Sequence, residues 1–109
     1  MAKVINLKDD DERIYGTSFH GDVVTASANS ISRKLGIPFH DYGYDGDKVT
    51  HEFDFEIDGI VATLYDWKEY REVGNDEVVE FHIGARTAEE SHKVASTLRS
   101  YNLSVRSWR

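Results

Sequence analysis

From Val49 to Asp58 the chain alternates strictly. Val49, His51, Phe53, Phe55 and Ile57 are interleaved with Thr50, Glu52, Asp54, Glu56 and Asp58. A period of two marks a half-buried strand with one apolar and one acidic face. Asp58-Gly59 follows, the preferred dipeptide of a two-residue type I′ turn, and Ile60 to Trp67 reads as the returning strand. Glu77 to Ile83 reads as a third strand, with Val79, Phe81 and Ile83 on one face, reached through Gly74-Asn75.

Helical spacing appears twice. Val24, Ala28, Ile31 and Leu35 fall on one face of a helix over 22–35, with Gly36 placed to end it and Pro38 to stop it. A second helix over 87–101 opens on the capping box Thr87-Ala88-Glu89-Glu90, carries Val94, Ala95, Leu98 and Tyr101 inward, and has Asn102 as its cap. Arg13-Ile14-Tyr15 reads as a short strand, residues 39–47 as a loop, residues 1–12 as a frayed or edge segment and residues 103–109 as an amphipathic, basic tail, with flexibility an open option for both ends. The predicted order is β-α-β-β-β-α. This is one α+β domain over residues 1–109, a three- to four-stranded, mainly antiparallel sheet with both helices on one face. Its expected core is Val24, Ile31, Leu35, Phe53, Phe55, Ile57, Leu64, Phe81, Val94 and Leu98.

The turn also sets the pairing of the hairpin. A two-residue loop places Ile57 opposite Ile60, Phe55 opposite Ala62, Phe53 opposite Leu64 and His51 opposite Asp66. The last pair reads either as an aspartate-oriented base or as a polar pair that closes the core. No nucleophile has a place beside it. On the other face, Glu52, Asp54, Glu56 and Asp58 form a row of carboxylates spaced about 6.6 Å apart, twice the strand rise. Val61, Tyr65 and Trp67 share that face, which turns a solvated acidic surface into a candidate contact surface.

Composition narrows the chemistry. The chain has 109 residues, no cysteine and a formal net charge of −7. Thiolate metal sites, disulfides and cysteine nucleophiles are therefore excluded. Residues 1–85 hold 18 acids against 8 bases, and residues 86–109 hold 2 against 5. So acidic a body argues against direct nucleic-acid binding, whose affinity comes from neutralising phosphates. Gly16 to Gly21 has the spacing of a phosphate loop, but Asp22-Val23 stands where lysine and a hydroxyl are needed. His40, Asp41, Asp45 and Asp47 lack the ligand order of a calcium loop. No cofactor, metal or catalytic residue is expected. A second candidate site gathers at the basic end: Gly84, Arg86 and Thr87 at a helix entrance, with Arg99, Arg106, Trp108 and Arg109, could take a small anionic ligand such as a signalling nucleotide. Capping alone also accounts for the helix entrance.

Three stretches together resemble small uncharacterised proteins encoded by tailed bacteriophages: Gly16-Thr17-Ser18-Phe19-His20-Gly21, Thr63-Leu64-Tyr65-Asp66-Trp67-Lys68-Glu69-Tyr70 and Phe81-His82-Ile83-Gly84-Ala85. The resemblance spans most of residues 14–101 and carries no assigned residues. It implies a short accessory protein acting inside an infected bacterium. The expectation is a non-enzymatic protein that binds and inhibits or redirects a host protein, such as a defence or nucleic-acid-binding factor. Met1 to Asn6 has no apolar signal core and no stretch is long enough to span a bilayer, so the expected place is the host cytoplasm.

Overall fold

The computed structural model describes residues 3–8, 10–42, 49–67 and 73–108. Among them stand seven strands and two helices: β1 (Val4–Asn6), β2 (Ser18–Ala26), α1 (Ala28–Leu35), β3 (His40–Asp41), β4 (His51–Ile57), β5 (Ile60–Asp66), β6 (Val79–Ala85), α2 (Ala88–Ser100) and β7 (Ser104–Ser107). All pair antiparallel in one open sheet of order β1-β4-β5-β6-β2-β7, and β3 continues the β1 edge along β4. The fold is thus α+β with two helices, and the sheet is larger than the sequence pattern suggests.

The hairpin forms as its turn dictates. Asp58 and Gly59 both have positive φ (53° and 79°), the type I′ geometry, and the ladder pairs Ile57 with Ile60, Phe55 with Ala62 and Phe53 with Leu64. One sheet face then carries Phe53, Phe55, Ile57, Ala62, Leu64, Phe81, Ile83 and Val24, all buried beneath Ile31 and Leu35 of α1 and Val94, Ala95 and Leu98 of α2. Every residue expected in the core is buried.

Two expectations are corrected. The helix placed over 22–35 begins only at Ala28. Asp22–Ala26 belongs to β2, sandwiched between β6 and β7, and Ser27 caps the helix by accepting the Ser30 amide at 3.1 Å. Val23, Val24 and Thr25 are β-branched and suit a central strand. A spacing of four from Val24 to Ala28 mimicked a helix across this boundary. Arg13 and Ile14 lie in a single 3-10 turn, Glu12–Ile14, not in a strand. Within residues 1–12 and 103–109 lie two edge strands, β1 and β7.

Residue 103 onward folds back because α2 ends in a Schellman motif. Asn102 takes the left-handed conformation (φ 63°), its amide bonds the Arg99 carbonyl, and the Leu103 amide bonds the Leu98 carbonyl. The chain then reverses onto β2. There the buried Asp22 carboxylate accepts Ser107 Oγ–H and Ser91 Oγ–H (2.6 Å) and lies 3.0 Å from His92 Nδ1, tying β2, β7 and α2 together.

Phe53 is fully buried at the centre of this core. Phe53→Ala is expected to cost about 3–5 kcal/mol in equilibrium urea unfolding. A second expectation concerns Gly84. A Cβ there would sit 2.2 Å from Thr63 Oγ1, and the β-branched threonine has little rotamer freedom to move aside. Gly84→Ala should cost about 1–3 kcal/mol. Adding Thr63→Ala should recover much of that loss, read as a coupling energy in a double-mutant cycle.

Candidate functional site

Because both helices cover one face, the other face of the sheet has no helix over it, and the 3-10 turn Glu12–Ile14 covers only part of it beside β4 and β5. Strand alternation and register decide what stands on it: Glu52, Asp54 and Glu56 from β4; Val61, Thr63, Tyr65 and then Trp67 from β5; Glu80, His82 and Gly84 from β6; Phe19 and Val23 from β2; Arg106 and then Trp108 from β7.

At its centre is His82. Phe19 stacks on its ring at 4.0 Å, while Tyr65, Trp67 and Trp108 surround it with centroids at 5.6, 6.3 and 5.5 Å. Five rings from four strands form one aromatic cluster. Its outer members are the exposed ones: Trp67 is 39 % and Trp108 54 % accessible. Exposed tryptophan on a rigid sheet is uncommon, since each buries a large apolar area when covered.

The route by which Trp108 arrives is local. β2 carries a bulge where its pairing moves from Phe19–Gly84 to Val23–His82, with Gly21 at φ 104°. The Gly21 carbonyl accepts the Trp108 amide at 2.7 Å, which pins the indole beside Phe19. Gly84 serves the same assembly by lacking a side chain. Tyr65 and Thr63 occupy the space that a Cβ would take.

The charges around the cluster are mostly negative. Glu52 and Glu56 are half-buried, Asp54 is buried with His40 Nε2 at 3.5 Å, and Glu56 accepts from Arg13 at 3.1 Å. Asp58 stands apart in the exposed hairpin turn. Glu80 forms an ion pair with Arg106. The carboxylate row is thus present on β4 with unequal exposure, and Val61 beside it is buried.

The anion-binding set of the sequence does not gather. Gly84 lies inside β6, Arg86 donates to the Arg13 carbonyl at 2.7 Å, and Thr87 caps α2 by accepting the Glu90 amide at 3.1 Å. Arg99 sits in the last turn of the same helix, about 18 Å along its axis from Thr87 at 1.5 Å per residue. Arg106 and Trp108 instead join the aromatic face, and Arg109 lies outside the described residues. Members of both expected sites, Tyr65 and Trp67 of one and Trp108 of the other, therefore meet at His82. His82 and Phe19 were missed by sequence reasoning. The alternation Glu80-His82-Gly84 is visible, but nothing local fixes its register to Tyr65, and Phe19 lies in the first half of β2, whose second half the spacing predicts as helix.

His51 and Asp66 meet as the hairpin register requires, with Nδ1 2.8 Å from Oδ2. The other carboxylate oxygen accepts the Thr50 and His51 amides at 2.7 and 2.9 Å. Nε2 lies 2.7 Å from Asn75 Oδ1 and 3.9 Å from Asp41. Both ring nitrogens are engaged and the side chain is fully buried, so the pair fastens β4, β5 and the residue 75 loop. Among the described residues no cluster of three or more His, Asp or Glu could hold a metal ion.

The two histidines titrate in opposite directions. At His51, burial lowers the pKa, but the Asp66 and Asn75 hydrogen bonds and the charges of Asp66 and Asp41 outweigh it, and the net shift is upward. At His82, burial dominates over the opposing charge of Glu80 and the shift is downward. The protonated His51 thus contributes stability that is fully present below pH 6.5 and is lost as pH rises through its raised value. Neutral His82 contributes stability above pH 6.5 that is lost as pH falls through its lowered value. A histidine-ring NMR titration is expected to place the His51 midpoint above 6.5 and the His82 midpoint below it. The stability difference between wild type and His51→Gln should shrink from pH 6 to pH 9, a span set by that upward shift from the usual histidine value.

No protein-family model, no curated protein and no solved structure matches the chain, so the function rests on the geometry of this face.

Proposed function

We propose that this chain is a non-enzymatic binding domain that docks the uncovered face of its sheet onto a basic surface of a partner protein. The observation that carries this reading is the aromatic cluster around His82, with Trp67 and Trp108 standing out of it on an otherwise acidic face. Rigid, partly exposed aromatics supply most of the affinity of such interfaces, and surrounding carboxylates set orientation and raise the association rate. The acidic balance of the chain, net −7, favours a cationic partner and disfavours direct contact with nucleic acid.

The resemblance to phage-encoded proteins gives this reading a setting. A host nucleic-acid-binding or defence factor presents a basic groove, and occupying that groove would inhibit or redirect it. Among the described residues this face disfavours the sequestration of a free anion, because Arg106 is committed to Glu80 and Arg13 to Glu56, Arg86 is bound to the Arg13 carbonyl and Arg99 sits at the end of α2.

Trp67 and Trp108 are the only tryptophans of the chain, so intrinsic fluorescence reports on this face alone. Titration with a Lys/Arg-rich peptide at low salt is expected to shift and quench that emission saturably, and a Glu/Asp-rich peptide or duplex DNA should not. Trp108→Ala, followed through Trp67, should weaken binding at least tenfold, in line with an aromatic hot spot. Glu52→Lys with Glu80→Lys should slow association and flatten its salt dependence. Equal binding by the charge-reversed variant, or preference for the acidic peptide or DNA, would sink this reading.

A further inference from the structure

The aromatic anchors of the docking face surround a group that can change its charge. His82 stands in a cross-strand row, Tyr65–His82–Val23–Arg106, running from β5 to β7. Phe19 lies nearly flat on its ring, with the planes 19° apart, and Tyr65 and Trp108 meet it edge-on at 64° and 87°. The ring is half-buried, and among the described residues neither of its nitrogens has a hydrogen-bond partner. Resting on the docking function above, we infer that His82 gates this face by protonation: the neutral ring admits the basic partner and the protonated ring turns it away.

Position gives the gate its leverage. Trp67 and Trp108, the exposed members of the cluster, both contact the His82 ring. A partner seated on the two indoles therefore closes over His82 and removes the water that remains at its nitrogens. A charged ring enclosed in this way is unfavourable unless an anion replaces that water. A basic partner brings cations instead, so the complex excludes the proton.

The groups around His82 leave this balance in place. On its own strand, Glu80 is two residues away on the same face, and its attraction is shared with Arg106 of β7. From β5 comes Tyr65, whose phenol is kept neutral by burial and then by the charge of Glu52 beyond it on β4. From β2, Phe19 and Val23 carry no charge. His20 lies 3.0 Å from the Ala85 carbonyl, and Asp22 is buried on the helix side with Ser91, Ser107 and His92. Burial of His82 outweighs the charge of Glu80 and holds the ring below the usual histidine value. The ring is therefore neutral and the face open at neutral pH, and the face closes as pH falls through that lowered value. Because coupling is reciprocal, docking lowers the His82 pKa further.

The test uses the intact chain and the Lys/Arg-rich peptide, with affinity read by calorimetry from pH 8 to pH 5. Affinity is expected to change little down to pH 6.5 and to fall below the His82 midpoint by up to about tenfold per pH unit, the limit for one excluded proton. In a ring NMR titration of the wild type, bound peptide should lower the His82 midpoint and leave that of the buried His51 in place. This readout needs no substitution. His82→Phe, which keeps an uncharged ring against Phe19, should lose the fall in affinity, and His40→Gln, three strands away on β3, should keep it. A His82 midpoint unchanged or raised by the peptide, affinity that rises as pH falls, or an equal fall in His82→Phe would overturn the inference. If the peptide binds at pH 8 with an affinity that ignores pH over this range, the gate falls and the docking face stands. Absence of binding at pH 8 removes both.

Discussion

The structure depends on the pairing frame of β4 and β5, and that frame depends on two residues. Asp58 and Gly59 hold positive φ in a type I′ turn, whose twist matches the strands it joins. A slip of one residue would reverse every side chain on β4 and put Glu52 and Glu56 among the apolar positions while exposing Phe53 and Phe55. Desolvating those carboxylates without partners would cost far more than a turn can supply. The hairpin therefore exists in one frame, and all later contacts inherit it. Asp66 closes the open end by accepting the amides of Thr50 and His51 and the His51 ring, where the strand ladder itself has ended.

The second constraint is one-sided coverage. Two helices fit over the Phe53–Phe55–Ile57 face, and their own apolar stripes are used up there. On the opposite face, among the described residues, only the segment around the 3-10 turn Glu12–Ile14 lies over β4 and β5, so the part around His82 meets water or something else. It is built accordingly, with half-buried carboxylates on β4 and aromatic rings that shield one another around His82. Rings in edge and stacked contact keep much of their apolar surface from solvent while leaving outer edges available.

Coupling between the two faces runs through the end of the chain. Asp22 inside the sheet holds Ser91 of α2 and Ser107 of β7, and the next residue, Trp108, lies on the outer face with its amide on Gly21. Seating of α2 against the core and placement of Trp108 beside His82 are therefore parts of one arrangement. The basic character of residues 86–109 is dispersed by the same arrangement. Arg86 points to the 3-10 turn region, Arg99 to the β7 carbonyl of Val105, and Arg106 to Glu80.

By itself the sequence determined what local rules can reach. Strict alternation over 49–58, Asp58-Gly59 and the Thr87 capping box are each written in adjacent residues, so the central hairpin, its frame, α2 and the core followed from them. That Tyr65 and Trp67 share one sheet face was legible for the same reason, as part of that hairpin. What only the tertiary structure decided involves partners far apart in the chain. β2 looks helical until β6 and β7 enclose it, because a spacing of four from Val24 to Ala28 satisfies either reading. β1 and β7 are short edge strands whose hydrogen bonds come entirely from neighbours. The union of Phe19, His82 and Trp108 with Tyr65 and Trp67 needs the β5–β6 and β2–β6 registers, which no tight turn encodes. Secondary structure follows from bonds and burial patterns a few residues long, whereas a surface assembled from four strands exists only once non-local pairing has fixed which residues stand side by side.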